Sequence, residues 1–256
     1  DNTKEVVDGF IAENSVEIKY VSQKNQGMHG AHNTAYKNID TELNTCIDSD
    51  DFMPLNAVEL ILKKWELVKT NPELSGVVGL DENMNGEIIG TTFSVDSTTL
   101  EDFYNNGGTG DKKLVYRTDI MKNLPEYPIF EGEKYVGLGY KYLLADQHYK
   151  LATLNEPLVI VDYQPGGSSN NMLRQYYKNP KGFAFIRKAQ MELSRSPKRR
   201  FADAVHYVSS SLLSKNPKFL KESPKPLLTF FAIPLGTALY YYIKYKNRQQ
   251  SQSKEL

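Results

Sequence analysis

The sequence predicts an α/β fold, a mainly parallel sheet flanked by helices, followed by a basic helical extension. Three observations carry this expectation. Strand-like and helix-like segments alternate from the start of the chain to about residue 163. The segment Ser75–Leu80, SGVVGL, reads as a buried strand. After Pro54, the residues Val58, Ile61, Leu62, Trp65 and Val68 recur at i, i+3, i+4, i+7 and i+10, the stripe of a helix packed on a sheet, which makes Trp65 a core residue.

Taken in order, Thr3–Glu13 sets Val6, Val7, Phe10 and Ile11 at helical spacing, with Asn2 or Thr3 to cap it. Glu17–Val21 alternates as a short strand does, and Gly27–Lys37 reads as a glycine-bearing turn running into a helix. Thr45–Ile47 reads as a strand ending in acid, and Pro54 opens the helix already described. DENMNGEIIG, which follows the buried strand, reads as a turn into Glu87–Ile89. Beyond Leu100 come a short helix, the glycine-rich loop Gly107–Gly110 and a strand at Lys113–Arg117. Two further strands, Leu151–Leu154 and Leu158–Tyr163, precede the loop PGGSSNN at Pro165–Asn171.

With 256 residues and 40% hydrophobic content the chain can bury one full core with an appendage. Its single cysteine, Cys46, excludes a disulfide framework, favours a reducing compartment and is expected as a buried thiol. The chain opens at Asp1 without a signal-peptide pattern, so secretion has no support. A net charge of zero hides a division. Residues 1–173 carry 14 basic and 27 acidic side chains, net −13, and residues 174–256 carry 17 basic and 4 acidic ones, net +13. The boundary therefore separates an acidic catalytic body, 1–173, from a basic, anion-seeking region, 174–256.

That second region contains a helix at Arg199–Leu213, with Phe201, Val205, Val208 and Leu212 on one face. It also contains Leu227–Ile243, 17 residues without a charge, interrupted by Pro234 and Gly236. This run is marginal for a bilayer span, which needs about 20 residues. It selects an anionic membrane surface over nucleic acid as the partner, with a buried hairpin or homodimer contact as the alternative use. Tyr240, Tyr241 and Tyr242 beside Lys244 suit the membrane interface. A chain cut after about Lys221 is then expected to become soluble.

The chemistry concentrates in CIDSDD, Cys46–Asp51. Asp48, Asp50 and Asp51 repel one another at the end of an apolar strand, which is costly unless a cation or hydrogen-bond donors neutralise them. Hard oxygen ligands suit Mg²⁺ or Mn²⁺, and Mg²⁺ typically keeps one or two protein carboxylates while phosphate oxygens and water complete its shell. The strand ends of open α/β sheets are where ligands bind, so position and composition agree on a metal-bound diphosphate. The same residues also make a good turn and helix cap ahead of Pro54, and on spacing alone the two readings stand level.

NQGMHGAHNTAYKN at Asn25–Asn38, followed by TCIDSDDFMPLNAVELI, resembles glycosyltransferase family 2, in which an N-x-G-x-x-x-A-x-N segment precedes a strand ending in D-x-D or D-x-D-D. The resemblance runs from Asp1 to about Asn171. GDKKLVYRTDI, FEGEKYV and LNEPLVIVDYQPGGSS extend it toward the subgroup acting in bacterial surface polysaccharide synthesis. It implies a GT-A fold, Rossmann-like and truncated at the N-terminus, since the family's opening strand, helix and strand would precede DNTKEVV. No residue is therefore assigned to the nucleotide base.

The resemblance further implies that Asp48 and Asp50, with Asp51, hold the metal and the ribose side of a nucleotide-diphosphate sugar, and that Asn25, Gly27, Gly30, His32 and Asn33 line the nucleotide cleft. The glycines would let backbone approach the ligand, and His32 is equally suited to a structural role. It implies an inverting displacement by an acceptor hydroxyl of a lipid-linked or oligosaccharide acceptor, and the basic region with its apolar run is expected to hold the chain, peripheral or shallowly inserted, at the cytoplasmic face of the plasma membrane. The required general base falls on Glu133 first and Glu131 second, within EGEK, where Lys134 stands in place of the family's aspartate. Asp111 is a second acidic residue suited to the acceptor site or to its turn. The alternatives are a metal-dependent nucleotidyltransferase and an inactive, sugar-binding membrane scaffold.

Overall fold

The computed structural model describes residues 2–162 and 172–252, with side chains described to residue 249. The expected loop Pro165–Asn171 lies outside the described residues.

One five-stranded sheet, in the order β1-β4-β2-β5-β3, forms the centre. Its strands are β1 (Leu43–Thr45), β2 (Leu74–Asn83), β3 (Ser97–Thr98), β4 (Lys112–Arg117) and β5 (Lys150–Val161). The helices before and between them are α1 (Thr3–Glu13), α2 (Met28–Asn38), α3 (Ala57–Val68), α4 (Leu100–Asn105), α5 (Thr118–Asn123) and α6 (Gly139–Ala145). The α/β class and the flanking helices are as expected, but the strand directions are mixed rather than mainly parallel. β2 and β5 pair in parallel, whereas β4 runs antiparallel to both β1 and β2, and β3 antiparallel to β5. The β–α–β alternation does align β1, β2 and β5. β4 then inserts between β1 and β2 in the opposite sense, which periodicity cannot reveal.

The sheet buries both faces, and alternation along its strands assigns residues to each. Val77, Val115 and Leu158 face α3 and meet Ala57, Ile61 and Trp65. Val78, Leu80 and Tyr116 face the other way, into a core with Tyr36, Phe103, Met121, Tyr127 and Leu151. Gly79 admits Leu158 here, since a Cβ at that position would lie 2.3 Å from the leucine side chain. The α3 stripe is turned from the expected one: Ala57, Ile61 and Trp65 are buried, while Val58 and Leu62 are exposed. The Trp65 indole N–H donates to Glu42 at 2.7 Å, satisfying its one polar atom.

Several expected strands differ. Glu17–Val21 is not a strand; Val16, Tyr20 and Val21 are exposed, and no strand among the described residues lies beside them to take their hydrogen bonds. The strand before the acidic loop is Leu43–Thr45, so Cys46 and Ile47 lie past its last ladder pair, and Cys46 is exposed rather than buried. The two late strands are one, β5, which carries Pro157 through a series of register shifts against β2. Glu87–Ile89 forms only an isolated bridge, Ile88 to Glu82.

The basic region is helical, as expected: α7 (Met172–Lys178), α8 (Pro180–Leu193), α9 (Pro197–Leu213) and α10 (Pro226–Gln252). Met191, Ala204, Tyr207, Val208 and Ala232 form its own core, with Phe201, Val205 and Leu212 packed against it. The apolar face expected to meet a membrane on α9 is therefore used in helix packing. A Cβ on Gly236 of α10 would lie 2.5 Å from Val208, so the two helices approach closely there. The α8–α9 junction is fixed by charge: Arg187 meets the buried carboxylate of Asp203 at 2.7 Å.

Candidate active site

A cavity of about 880 Å³ opens at the ends of β1, β2 and β5. Cys46, Asp48, Ser49, Asp50 and Asp51 form one wall, and Asp81 of β2 and Val159 and Val161 of β5 lie beside them. Asp111, Lys112 and Lys113 come from the start of β4, and Tyr135 and Tyr142 supply aromatic surface. Glu101 and Asp146 line the side nearest α4 and α6, while Gln190, Ser194 and Arg199 complete the wall from α8, α9 and the turn between them. The basic region thus contributes part of the cavity, across the expected boundary at residue 173.

The acidic loop is held by backbone. Asp51 N–H donates to the Asp48 carbonyl at 3.0 Å, Phe52 pairs with Ile160 through both backbone groups, and Asp51 Oδ1 accepts from Asp162 N at 3.2 Å. Lys113 Nζ reaches the carbonyl of Cys46, tying β4 to the start of the loop. Burial raises the Asp51 carboxyl above its ordinary range, the Asp162 hydrogen bond opposes this, and the charges of Asp48 and Asp50 add to it. Among the described residues, no three His, Cys, Asp or Glu side chains converge as a ready-made metal cage. The donor set nevertheless fits Mg²⁺ or Mn²⁺, because such an ion needs one or two of these carboxylates and takes its other oxygens from a diphosphate and water.

The Asn25–Asn33 set is placed differently from the expectation. Of this stretch, Met28 lines the cavity, whereas Asn25, Gly27, Gly30, His32 and Asn33 do not. Asn25 Oδ1 accepts from Gly27 N at 2.9 Å in a local turn. Gly27 has φ +84°, and a Cβ there would sit 2.1 Å from the Lys134 carbonyl, so the close approach is to protein backbone rather than to ligand. Gly30 packs on Gln26. Asn33 exchanges hydrogen bonds with the backbone of Tyr127, at 2.8 and 2.9 Å, and His32 lies between Tyr36 and Tyr127. Burial lowers the His32 pKa, with the Asp48 charge opposing. His29 Nδ1 accepts from Val136 N at 3.2 Å, so the start of α2 is strapped to residues 134–136.

Glu133 and Glu131 also lie outside the cavity lining. Glu133 caps α8: its Oε1 accepts from Lys181 N at 3.0 Å and its Oε2 from Gly182 N at 2.8 Å. These are the orphan donors of a helix N-terminus, where a carboxylate is favoured by the helix dipole. Both oxygens being engaged, Glu133 is set up to hold EGEK against α8.

Sequence reasoning missed Asp81, Glu101, Lys113 and Asp146. Asp81 had a signal, since it ends the apolar run SGVVGL as Asp48 ends TCI. Asp146 is buried and accepts from Glu101 N at 3.0 Å, and burial raises its pKa to about 6. Lys112 is committed to structure, donating to the carbonyls of Ile89, Thr109 and Asp111, each at 3.0 Å.

A helix-flanked sheet with an acidic loop at its strand ends, opening on a large cavity, defines the class: a GT-A-type fold. Residues 1–73 match the family Glycosyl transferase family 2. The structure of S. aureus TarS 1–349 in complex with UDP-GlcNAc is similar to the chain, with a TM-score of 0.58 at 15% identity, covering 98% of this chain and 80% of that one. S. aureus TarS 1–349 in complex with UDP is similar at a TM-score of 0.51 and 14% identity, with coverages of 98% and 79%. S. aureus TarS itself gives 0.51 at 16%, covering 96% of this chain and 47% of that one. At these identities the likeness is one of fold. No curated protein sequence matches the chain. The family match covers the first 73 residues, and the likeness of fold covers nearly the whole chain.

Proposed function

We propose that the chain transfers a sugar, with inversion, from a nucleoside-diphosphate sugar to a hydroxyl of a lipid-linked saccharide during bacterial surface polysaccharide synthesis. The observation that carries this reading is the loop Asp48–Asp51 opening onto the cavity at the strand ends. Asp50 and Asp48, with Asp51, would hold Mg²⁺ or Mn²⁺, which when bound supplies positive charge to the departing diphosphate. Lys113 holds the loop through the Cys46 carbonyl and adds a fixed positive charge to the same wall. Asn25, Gly27, Gly30, His32 and Asn33 serve the nucleotide side indirectly, by fixing the turn and first part of α2 that bring Met28 to the cavity: Gly27 against Lys134, Gly30 against Gln26, and His32 and Asn33 against Tyr127. Tyr135 and Tyr142 offer rings on which a sugar face can pack.

Attachment to the cytoplasmic membrane face is part of the proposal. The net +13 of residues 174–256 attracts anionic headgroups at about 1 kcal/mol per basic residue near the surface. Pro226–Gln249 is long enough to cross a bilayer, and its most apolar 18-residue stretch, with mean hydropathy 1.4, is apolar enough by composition. Leu227, Phe230, Phe231 and Leu235 are exposed along it.

The decisive assay gives the intact protein a panel of UDP- and GDP-hexoses, UDP-GlcNAc among them, with Mg²⁺ or Mn²⁺. A bound donor at 100 times its Kd should stabilise the fold by about 2.7 kcal/mol, and turnover should release nucleoside diphosphate. Pyrophosphate as the product would convert the reading to a nucleotidyltransferase, and the absence of any stabilisation or turnover would reject it. For the membrane, Phe231→Ser with Leu235→Ser should sharply reduce salt-resistant binding to anionic vesicles. Deleting α10 is a poorer test, because Ala232 and Gly236 pack on α9. Wild-type protein that ignores such vesicles at low salt would remove the anchor.

A further inference from the structure

The transfer needs a proton acceptor, and Glu133 spends both carboxylate oxygens on α8. We infer that Asp81 is the residue that takes the proton from the attacking hydroxyl, a role that rests on the glycosyltransferase reading. Asp81 lines the cavity beside the acidic loop, at the end of the apolar part of β2. It is only 5% exposed, and its Oδ1 has no hydrogen-bond partner among the described residues. Its backbone is fixed by β5 through Val159 and by Ile89 N, which donates to its carbonyl at 2.8 Å. A buried carboxylate left without donors is costly, and an acceptor hydroxyl entering the cavity would supply one to the carboxylate where it lines that cavity.

The surroundings tune the group for the task. Burial raises its pKa to about 6; Lys113 and Lys112 on β4 oppose the rise, and Asp111 ahead of β4 and Asp51 on the acidic loop add to it. Those four charged groups act on it from the neighbouring elements, and the Asp81 charge in turn raises the pKa of the Tyr104 phenol on α4. A base with a pKa near the working pH is ionised yet still strong enough to accept a proton. In the step itself the hydroxyl proton passes to the Asp81 carboxylate as the hydroxyl oxygen bonds to the anomeric carbon. The bond from that carbon to the diphosphate oxygen breaks, and its electron pair leaves with the nucleoside diphosphate. Water can replace the acceptor, so slow donor hydrolysis reports the same proton transfer.

The test uses the intact protein with UDP-GlcNAc, or whichever donor of the panel stabilises it, and compares wild type with Asp81→Asn. The substitution keeps shape and removes an unpartnered buried charge, so the variant should fold with an equal or higher Tm. Expected are a hydrolysis rate lowered at least about 100-fold and a donor Kd within about threefold of wild type. The wild-type rate should fall as pH drops through about 6, where the carboxylate gains its proton, and the residual rate of the variant should lack that limb. A variant rate within threefold of wild type overturns the assignment, as does a donor affinity that falls in step with the rate, which would make Asp81 a donor-binding group. Wild-type protein that binds and hydrolyses no donor overturns the glycosyltransferase reading, and this assignment with it.

Discussion

Two aspartates lie equally deep in different regions of the molecule, and the chain treats them in opposite ways. Asp203, on α9 among the basic helices, is 2% exposed and meets the Arg187 guanidinium at 2.7 Å. Asp81, on β2 beside the cavity, is 5% exposed and forms no ion pair among the described residues, although each aspartate keeps one oxygen without a donor there. Burial raises the pKa of both, but at Asp203 the adjacent Arg187 charge and hydrogen bond pull it back. A buried charge that serves the fold has an ion-pair partner, whereas one left without such a partner beside a cavity marks where a ligand can supply it.

The largest effect expected from this contrast is on stability. Arg187→Met should destabilise the protein by about 3–5 kcal/mol, because it strands the buried Asp203 carboxylate. Adding Asp203→Leu should restore most of that loss. Urea denaturation of the two variants measures it, and a single-variant loss below about 1 kcal/mol would show that the pair does not secure the helices.

Asp50→Asn should act on rate with little change in fold, since Asp50 is exposed on the loop. Loss of turnover of about 100-fold, roughly 2.7 kcal/mol, is expected, with wild-type turnover abolished by EDTA. EDTA-insensitive wild-type turnover, together with a fully active variant, would sink the metal assignment.

The smallest effect belongs to Glu133→Gln. A neutral amide keeps one acceptor for the α8 N-terminus but loses the favourable charge, so about 0.5–1 kcal/mol of stability should go while turnover per folded molecule stays near wild type. Should this variant lose more turnover than Asp81→Asn, the proton acceptor is Glu133 and the contrast between the two carboxylates collapses.

The sequence was most legible where one periodicity had one interpretation. SGVVGL is buried on both faces, and Ala57–Val68 is a helix on the sheet with Trp65 in its core. CIDSDD announced the cavity because clustered carboxylates at a strand end are costly without a ligand. Glu17–Val21 misled because alternation describes a strand's side chains and says nothing about whether a partner strand is present. Cys46 misled because the ladder ends at Thr45, two residues before its apolar run does. Pairings between distant segments were not legible at all: Glu133 with the α8 N-terminus, Gly27 with Lys134, Lys113 with Cys46 and Arg187 with Asp203 become visible only after folding. Asp81 was in plain view, yet its place in DENMNGEIIG suggested a turn, while the structure carries β2 on through Asn83.

Gln190, Ser194 and Arg199 build one wall of the cavity from the same helical body whose last helix, α10, presents the exposed apolar surface. The helical body is therefore not an interchangeable handle. Grafting the corresponding helices from a relative would replace part of the cavity along with the outer surface, so the two traits are inherited as one unit. An exchange of anchors that preserves the cavity has to begin within α10, beyond its contacts with α9.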